Sequence, residues 1–243
     1  MPPTVLTDFA ACGFATLPGL YTPTEVAAIL ACIEAAPAAG PSFRRSQDVF
    51  AIRNLLGEVP GLWPLLDTPA LRTLLAELFP RGCHLTKAIY FDKPAGSNWL
   101  VAWHQDLMIN VRERAEQPGY GPWTAKASWV AVQPPAAVLE NTVTVRLHLD
   151  DCDATNGALR VVPGSHRLGV VPAETIAGHT AAAEVCAVPA GGAMLMRPLL
   201  LHASHRSTSP RPRRVVHLEF SAEVLPAGLA WREHLALIKT EVA

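Results

Sequence analysis

The chain has 243 residues, enough for one large domain with a full core, and its 50% apolar against 17% charged residues describe a globular protein and not a disordered one. Twenty basic residues against 21 acidic ones leave a net charge of −1, which offers no footprint for nucleic acid or for an anionic membrane surface. No apolar run reaches the ~18 residues of a membrane span, the first basic residue is Arg44, which argues against a leader peptide and for a cytoplasmic protein, and Cys12, Cys32, Cys83, Cys152 and Cys186 lie too far apart for a zinc knuckle and read as buried thiols.

In chain order, Thr22-Pro23-Thr24-Glu25 has the form of a capping box, and Val26, Ile29, Leu30 and Ile33 follow at helical spacing, which predicts a helix over about 23–36. Asp67-Thr68-Pro69 opens a second helix with Leu71, Leu74, Leu75 and Leu78 as its stripe and Pro80 as its stop. Both stripes need a surface to cover. Residues 40–45 read as a surface loop. From about residue 84 the pattern becomes short apolar or alternating runs between Pro, Gly, Asn and Asp, at 85–91, 99–104, 127–132, 142–149, 158–162, 185–188, 193–197 and 214–220. About eight short strands predict a sandwich or jelly roll. Residues 117–122, with Gln133-Pro134-Pro135, make a long insertion of the kind that covers binding sites, and 230–242 carry a weak helical periodicity. The whole reads as one domain over 1–243, helical over about 1–83, barrel over about 84–222, with an extension over about 223–243; no signal sets an oligomeric state.

His104-Gln105-Asp106 ends one of these runs. Residues two apart on a strand share a face, so an imidazole and a carboxylate converge there. A second histidine from a distant strand would complete a 2-His-1-carboxylate set, which leaves positions on Fe(II) open for a co-substrate and O2. His148-Leu149-Asp150 is a rival pair, although Asp150 runs into the turn-forming cluster Asp151-Cys152-Asp153-Ala154-Thr155-Asn156-Gly157 and suits a strand end equally well. His202, His205 and His217 are candidates for the second histidine. Arg211, Arg213 and Arg214 follow a Ser/Thr/Pro-rich turn, and a guanidinium from any of them could bind a carboxylate through two parallel bonds. Arg146 alternates with Val145 and Leu147 and needs a partner, whether an acidic substrate, a co-substrate or a nearby acid. Met108 and Asn110 continue the face of Asp106. Lys87 reads as a polar contact or a surface lysine, and Trp99, Trp103, Trp123 and Trp129 as cavity lining or core.

Together with Phe91-Asp92-Lys93-Pro94, Asn156-Gly157-Ala158-Leu159 and Val162-Pro163-Gly164-Ser165-His166-Arg167, these stretches resemble the phytanoyl-CoA dioxygenase family of Fe(II)/2-oxoglutarate-dependent oxygenases. The resemblance runs from about residue 8, where Asp8-Phe9 and Gly13-Phe14 look like the family's opening segment, to about Phe220. It implies a double-stranded β-helix, a cupin-like jelly-roll barrel flanked by α-helices. It implies that His104, Asp106 and His202 are the catalytic iron ligands, that Arg213 and Ser204 hold the far carboxylate of 2-oxoglutarate with Lys87 as a further contact, and that the acidic turn and the Pro-Gly-Ser-His segment are structural. Met108, Asn110 and Arg146 are then substrate contacts, and 107–135 closes over the substrate. The implied reaction consumes O2 and 2-oxoglutarate, releases succinate and CO2, and hydroxylates a C–H bond of a small molecule. Asp106 argues against a halogenating relative, which would lack that carboxylate. Desaturation, epoxidation and cyclisation share the same iron site. A zinc hydrolase and a non-catalytic metal-containing jelly-roll binding protein are the readings from other classes, and dependence on O2 and 2-oxoglutarate separates them. The basic pairs Arg44-Arg45 and Arg112 with Arg114 are thin support for a CoA thioester, so the expected substrate is a small polar metabolite or natural-product intermediate.

Overall fold

A computed structural model describes residues 3–37, 40, 42–45, 50–95, 97, 99–125 and 129–237. After α1 (Pro3–Cys12) and β1 (Phe14–Leu17), α2 (Pro23–Glu34) starts where its capping box lies: the Glu25 N–H donates to the Thr22 hydroxyl at 3.3 Å and the Glu25 carboxylate accepts the Thr22 N–H at 2.7 Å. Residues 43–45 are not loop but strand. β2 (Phe43–Arg45) pairs antiparallel with β3 (Phe50–Arg53), held by Phe43 stacked on Phe50 at 6.1 Å and by the Arg53 N–H donated to the carbonyl of buried Ser42 at 2.8 Å; Pro41 and 46–49 lie outside the described residues. The one-turn helices α3 (Leu55–Glu58) and α4 (Trp63–Leu66) lead to α5 (Pro69–Leu78), which Thr68 caps by accepting the Leu71 N–H at 3.2 Å, while Asp67 pairs with Arg72.

The strands continue as β4 (Cys83–Lys93), β5 (Val101–His104), β6 (Ile109–Val111), β7 (Trp123–Ala125), β8 (Val130–Val132), β9 (Thr142–His148) after the short helix α6 (Ala136–Glu140), β10 (Leu159–Val161), β11 (Glu184–Cys186), β12 (Ala193–Met196), β13 (His202–Ser204), β14 (Arg213–Ser221) and β15 (Leu235–Leu237). Each of the eight expected runs contains a strand; 127 and 128 lie outside the described residues. A large sheet has the order β1-β12-β9-β14-β4-β3-β2, a smaller one β11-β10-β13-β5, and β6-β8-β7 form a third. The two larger sheets stack as a jelly roll through Leu159, Val161, Cys186, Met194 and Met196, and among the described residues they do not close into a continuous barrel.

Alternation decides what each face of the large sheet does. Val143, Val145 and Leu147 of β9 and Val216, Leu218 and Phe220 of β14 pack outward into one core with Val26, Ile29 and Ile33 of α2 and Leu71, Leu74 and Leu75 of α5. The opposite parity, with Arg146 on β9 and Arg213, His217 and Glu219 on β14, lines the cavity between the sheets. Residues 117–122 are loop, as expected, and connect strands of the antiparallel sheet β6-β8-β7, which Ile109, Val111 and Val132 anchor in a core of its own. One expectation fails here. The C-terminal stretch is not helical at 235–237, where β15 adds to the otherwise free end of β4; 238–242 lie outside the described residues. No described helix is long and apolar enough to cross a membrane.

Candidate active site

β13 pairs with β5 so that His202 lies opposite His104, whereas Ser204 lies opposite Val101. β5 thus carries one residue more than β13, a bulge of the kind that re-aims side chains beside active sites. The two imidazoles come within 4.2 Å, and their Nε2 atoms each lie 3.7 Å from Asp106, His104 from Oδ1 and His202 from Oδ2. Nδ1 of His104 is 2.8 Å from the Ala102 carbonyl and Nδ1 of His202 is 2.9 Å from the Leu200 carbonyl. A carbonyl only accepts, so Nδ1 of each ring carries the proton and both Nε2 lone pairs turn toward the carboxylate. Burial holds the His202 imidazole down to about 4. Burial would raise the Asp106 carboxyl, but His202, His217, His104 and Lys87 together hold it well below the usual carboxylate range. The three ligand atoms lie within 4.8 Å of one another, a donor set suited to a divalent metal with open positions.

This geometry is fixed from behind. Gln105, buried between the two ligands, donates through Nε2 to the carbonyls of Leu199 (2.6 Å) and Gly169 (2.8 Å) and accepts the Val171 N–H at 2.8 Å. The Asp106 N–H donates to the Pro198 carbonyl at 2.9 Å. The Ser165 hydroxyl accepts the N–H of Leu201, the residue before His202, at 2.9 Å. Ser165 belongs to the Pro163-Gly164-Ser165-His166 turn, which packs on the N-terminus: the Gly164 N–H donates to the Cys12 carbonyl at 2.7 Å, and a Cβ at Gly13, where φ is +80°, would stand 2.3 Å from the His166 ring.

The cavity beside these ligands has a volume of about 480 Å³. Arg213 lines it fully buried, with one guanidinium N–H donated to the Gly157 carbonyl and Nε left without a partner. The Ser204 hydroxyl lines it as well, also buried and also unpartnered. Arg146 donates to His217 Nδ1 at 2.9 Å, stacks over Phe91, and keeps a third unpartnered donor in its Nε. Burial lowers Arg146 to about 10 and Arg213 below its ordinary value, which leaves both cationic near pH 7. Arg211 and Arg214 face elsewhere. Arg211 pairs with Asp153 at 2.5 Å, and Arg214 binds Asp150 through both Nε and NH2 and also reaches Glu34 at 3.2 Å. Of the three arginines, Arg213 is the one at the cavity.

The remaining expected residues divide. Met108, Asn110, Trp99 and Trp129 line the cavity. Trp103 packs instead against the Val162, Val171, Ile176 and Leu201 cluster, and Trp123 joins the core under the small sheet. Lys87 lines the cavity, but its ammonium is engaged by Glu219 at 2.8 Å and the Met108 carbonyl at 3.0 Å. His205 is exposed and bonded to Arg160, whereas His217 is buried between Arg146 and Glu219. His148 is buried with both nitrogens unpartnered, burial holds it well below its ordinary value, and Asp150 is taken by Arg214, so the rival pair does not converge. The sequence assigns no role to Gln105, Arg53 or Glu219, whereas Ser165 has the structural role expected of its segment. Glu219 was within reach, because it stands in phase with Arg213 and His217 on the polar face of β14.

The phytanoyl-CoA dioxygenase family profile matches residues 9–215. No curated protein gives a significant match. Among solved structures, the epimerase SnoN in complex with Fe3+, alpha ketoglutarate and nogalamycin RO is similar at a TM-score of 0.69 and 16% identity, over 98% of this chain and 95% of that one. EvdO2 from Micromonospora carbonacea var. aurantiaca, complexed with 2-oxoglutarate, is similar at 0.64 and 19%, over 95% and 96%. HygX from Streptomyces hygroscopicus, with nickel, 2-oxoglutarate and hygromycin B bound, is similar at 0.64 and 15%, over 91% and 87%. At such identities the likeness is one of fold.

Proposed function

This chain belongs to the phytanoyl-CoA dioxygenase family of Fe(II)/2-oxoglutarate-dependent enzymes, and from that membership we propose that it hydroxylates a C–H bond of a small-molecule substrate with release of succinate and CO2. One observation carries the reading: a three-ligand metal set shares a cavity with buried donors, Ser204 Oγ and Arg213 Nε, that have nothing to donate to. Unpaired buried donors are costly in a free protein, so their presence argues for an anionic ligand that satisfies them.

His104, Asp106 and His202 hold Fe(II). Arg213 and Ser204 hold the far carboxylate of 2-oxoglutarate, the guanidinium through charge-assisted bonds and the hydroxyl as a neutral donor. Lys87, tied to Glu219 and to the Met108 carbonyl, adds positive charge to the floor and steadies the segment after Asp106. Fe(II) held by His104, Asp106 and His202, with 2-oxoglutarate and O2 as co-substrates, would supply the oxidising power for the C–H bond; the protein supplies binding, orientation and a dry site. Met108, Asn110 and Arg146 contact the substrate, and the β6-β8-β7 sheet covers it against water. Retention of the Asp106 carboxylate favours oxygenation over halogenation. Nogalamycin RO and hygromycin B, bound to the structural neighbours, support a natural-product intermediate as substrate. Free cysteines at all five positions support a reducing compartment such as the cytoplasm.

Anaerobic reconstitution with Fe(II) and 2-oxoglutarate, followed by O2 and a metabolite extract, tests the reading. Succinate formation stimulated by a component of the extract is expected. A protein that takes up neither iron nor 2-oxoglutarate would contradict it.

A further inference from the structure

The charges that line the cavity do not balance. Among the described residues Arg53, Lys87, Arg146 and Arg213 are cationic, while Asp106 and Glu219 are anionic, which leaves an excess of two positive charges. Lys87 and Glu219 satisfy each other at 2.8 Å. A divalent metal and dianionic 2-oxoglutarate cancel each other, so loading both leaves the excess as it was. Arg213 belongs to the co-substrate end, and Arg146 lies close to it at the floor, within the field of Asp106 and His202. Arg53 stands apart from that group, half-buried at the end of β3.

Among the described residues no acid compensates it: the charged neighbour that acts on Arg53 is another cation, Arg44, and burial disfavours its charge further. Its guanidinium carbon lies 5.6 Å from the ring centroid of Trp129, whose ring also carries Arg232 at 4.9 Å. Among the described residues no acid forms an ion pair with it. Asn54 follows at φ +62°, a left-handed conformation at a non-glycine residue, with no hydrogen bond from its side chain to the helix it precedes. Phe91 and Trp99, with ring centroids 6.4 Å apart, form an apolar wall of the same cavity.

We propose that Arg53 anchors a carboxylate on the substrate, so that the enzyme acts on organic acids with an apolar or aromatic body. The body lies along Phe91, Trp99 and Trp129, and the acid meets Arg53 away from the arginine that holds 2-oxoglutarate. A planar guanidinium held against an indole suits a planar carboxylate, which accepts two parallel bonds from it. The inference rests on the function proposed above, because the charge count includes metal and co-substrate.

The test uses 3-phenylpropanoate, 4-phenylbutanoate and octanoate against their neutral amides. They are titrated by tryptophan fluorescence into the full chain, both unloaded and loaded anaerobically with Fe(II) and 2-oxoglutarate, whose own binding is measured separately. In the wild type at least one acid should bind about tenfold more tightly than its amide, the scale of a charge-assisted contact. Arg53→Gln should erase that preference and leave iron content and 2-oxoglutarate affinity unchanged. The proposal is overturned if no acid exceeds its amide in the wild type, or if the preference survives in Arg53→Gln. It is equally overturned if Arg146→Gln, and not Arg53→Gln, abolishes the preference. Failure of the wild type to bind iron or 2-oxoglutarate would strike the proposed function instead, and the acid–amide comparison in the unloaded protein would still decide the role of Arg53.

Discussion

The two ends of the cavity are built on opposite principles. Behind His104, Asp106 and His202, the candidate metal-ligating set, the polar groups are paired: Gln105 makes three hydrogen bonds, Ser165 accepts the N–H just before His202, and the Asp106 N–H has the Pro198 carbonyl. At the other end Ser204 Oγ, Arg213 Nε and Arg146 Nε are buried with nothing to bind. Satisfied groups hold a scaffold in place, whereas orphaned donors that line a cavity are free to meet a ligand there. In one small protein the same residue type, serine, plays both parts.

The comparison breaks most visibly at the metal end. His104→Ala, Asp106→Ala and His202→Ala should each abolish stoichiometric iron binding and 2-oxoglutarate turnover, while a folded His148→Ala protein retains iron; metal analysis of dialysed protein reads this directly. Iron lost from His148→Ala but retained by His104→Ala would transfer the site to the other pair. A smaller effect is expected at Gln105. Gln105→Ala strands the Leu199 and Gly169 carbonyls and the Val171 N–H, and at about 1–3 kcal/mol for each buried group left unpaired the loss of stability should be about 3 kcal/mol or more. Chemical denaturation measures it, and a change within error would mean that the scaffold does not depend on this residue.

The sharpest contrast is the smallest in energy. Ser165→Ala should cost about 1–2 kcal/mol by leaving the Leu201 N–H unpaired. Ser204→Ala should leave stability unchanged, since its hydroxyl has no partner to lose, yet weaken 2-oxoglutarate binding severalfold. Equal destabilisation by the two substitutions would erase the distinction between the ends.

Much of this was legible in the residues. The capping box, the leucine stripe of α5 and the alternation of β9 and β14 follow from elementary periodicity, and the alternation of Val216, Leu218 and Phe220 already puts Arg213 and Glu219 on one face and Arg214 on the other. The strands β2, β6 and β7 were not legible, because each is three residues long and none sits in an apolar or alternating run of the kind that marked β8 and β10, so only tertiary packing makes them strands. The bulge that sets His104 opposite His202 is invisible for the same reason, since it is a property of the pairing and of neither strand alone. Gln105 was overlooked because its role lies in contacts with Gly169, Val171 and Leu199, distant in sequence, and Arg53 because no pattern in the sequence reveals that no acid among the described residues pairs with it.

The central claim is that the orphaned donors hold 2-oxoglutarate beside the His104, Asp106 and His202 metal site. The most direct measurement is calorimetric titration of 2-oxoglutarate, under anaerobic conditions, into Fe(II)-loaded wild-type and Arg213→Ala proteins, with iron content determined on the same samples. One iron per chain in both, with co-substrate affinity at least about tenfold weaker in the variant, is the predicted result; unchanged affinity in a folded, iron-replete Arg213→Ala protein would contradict the account.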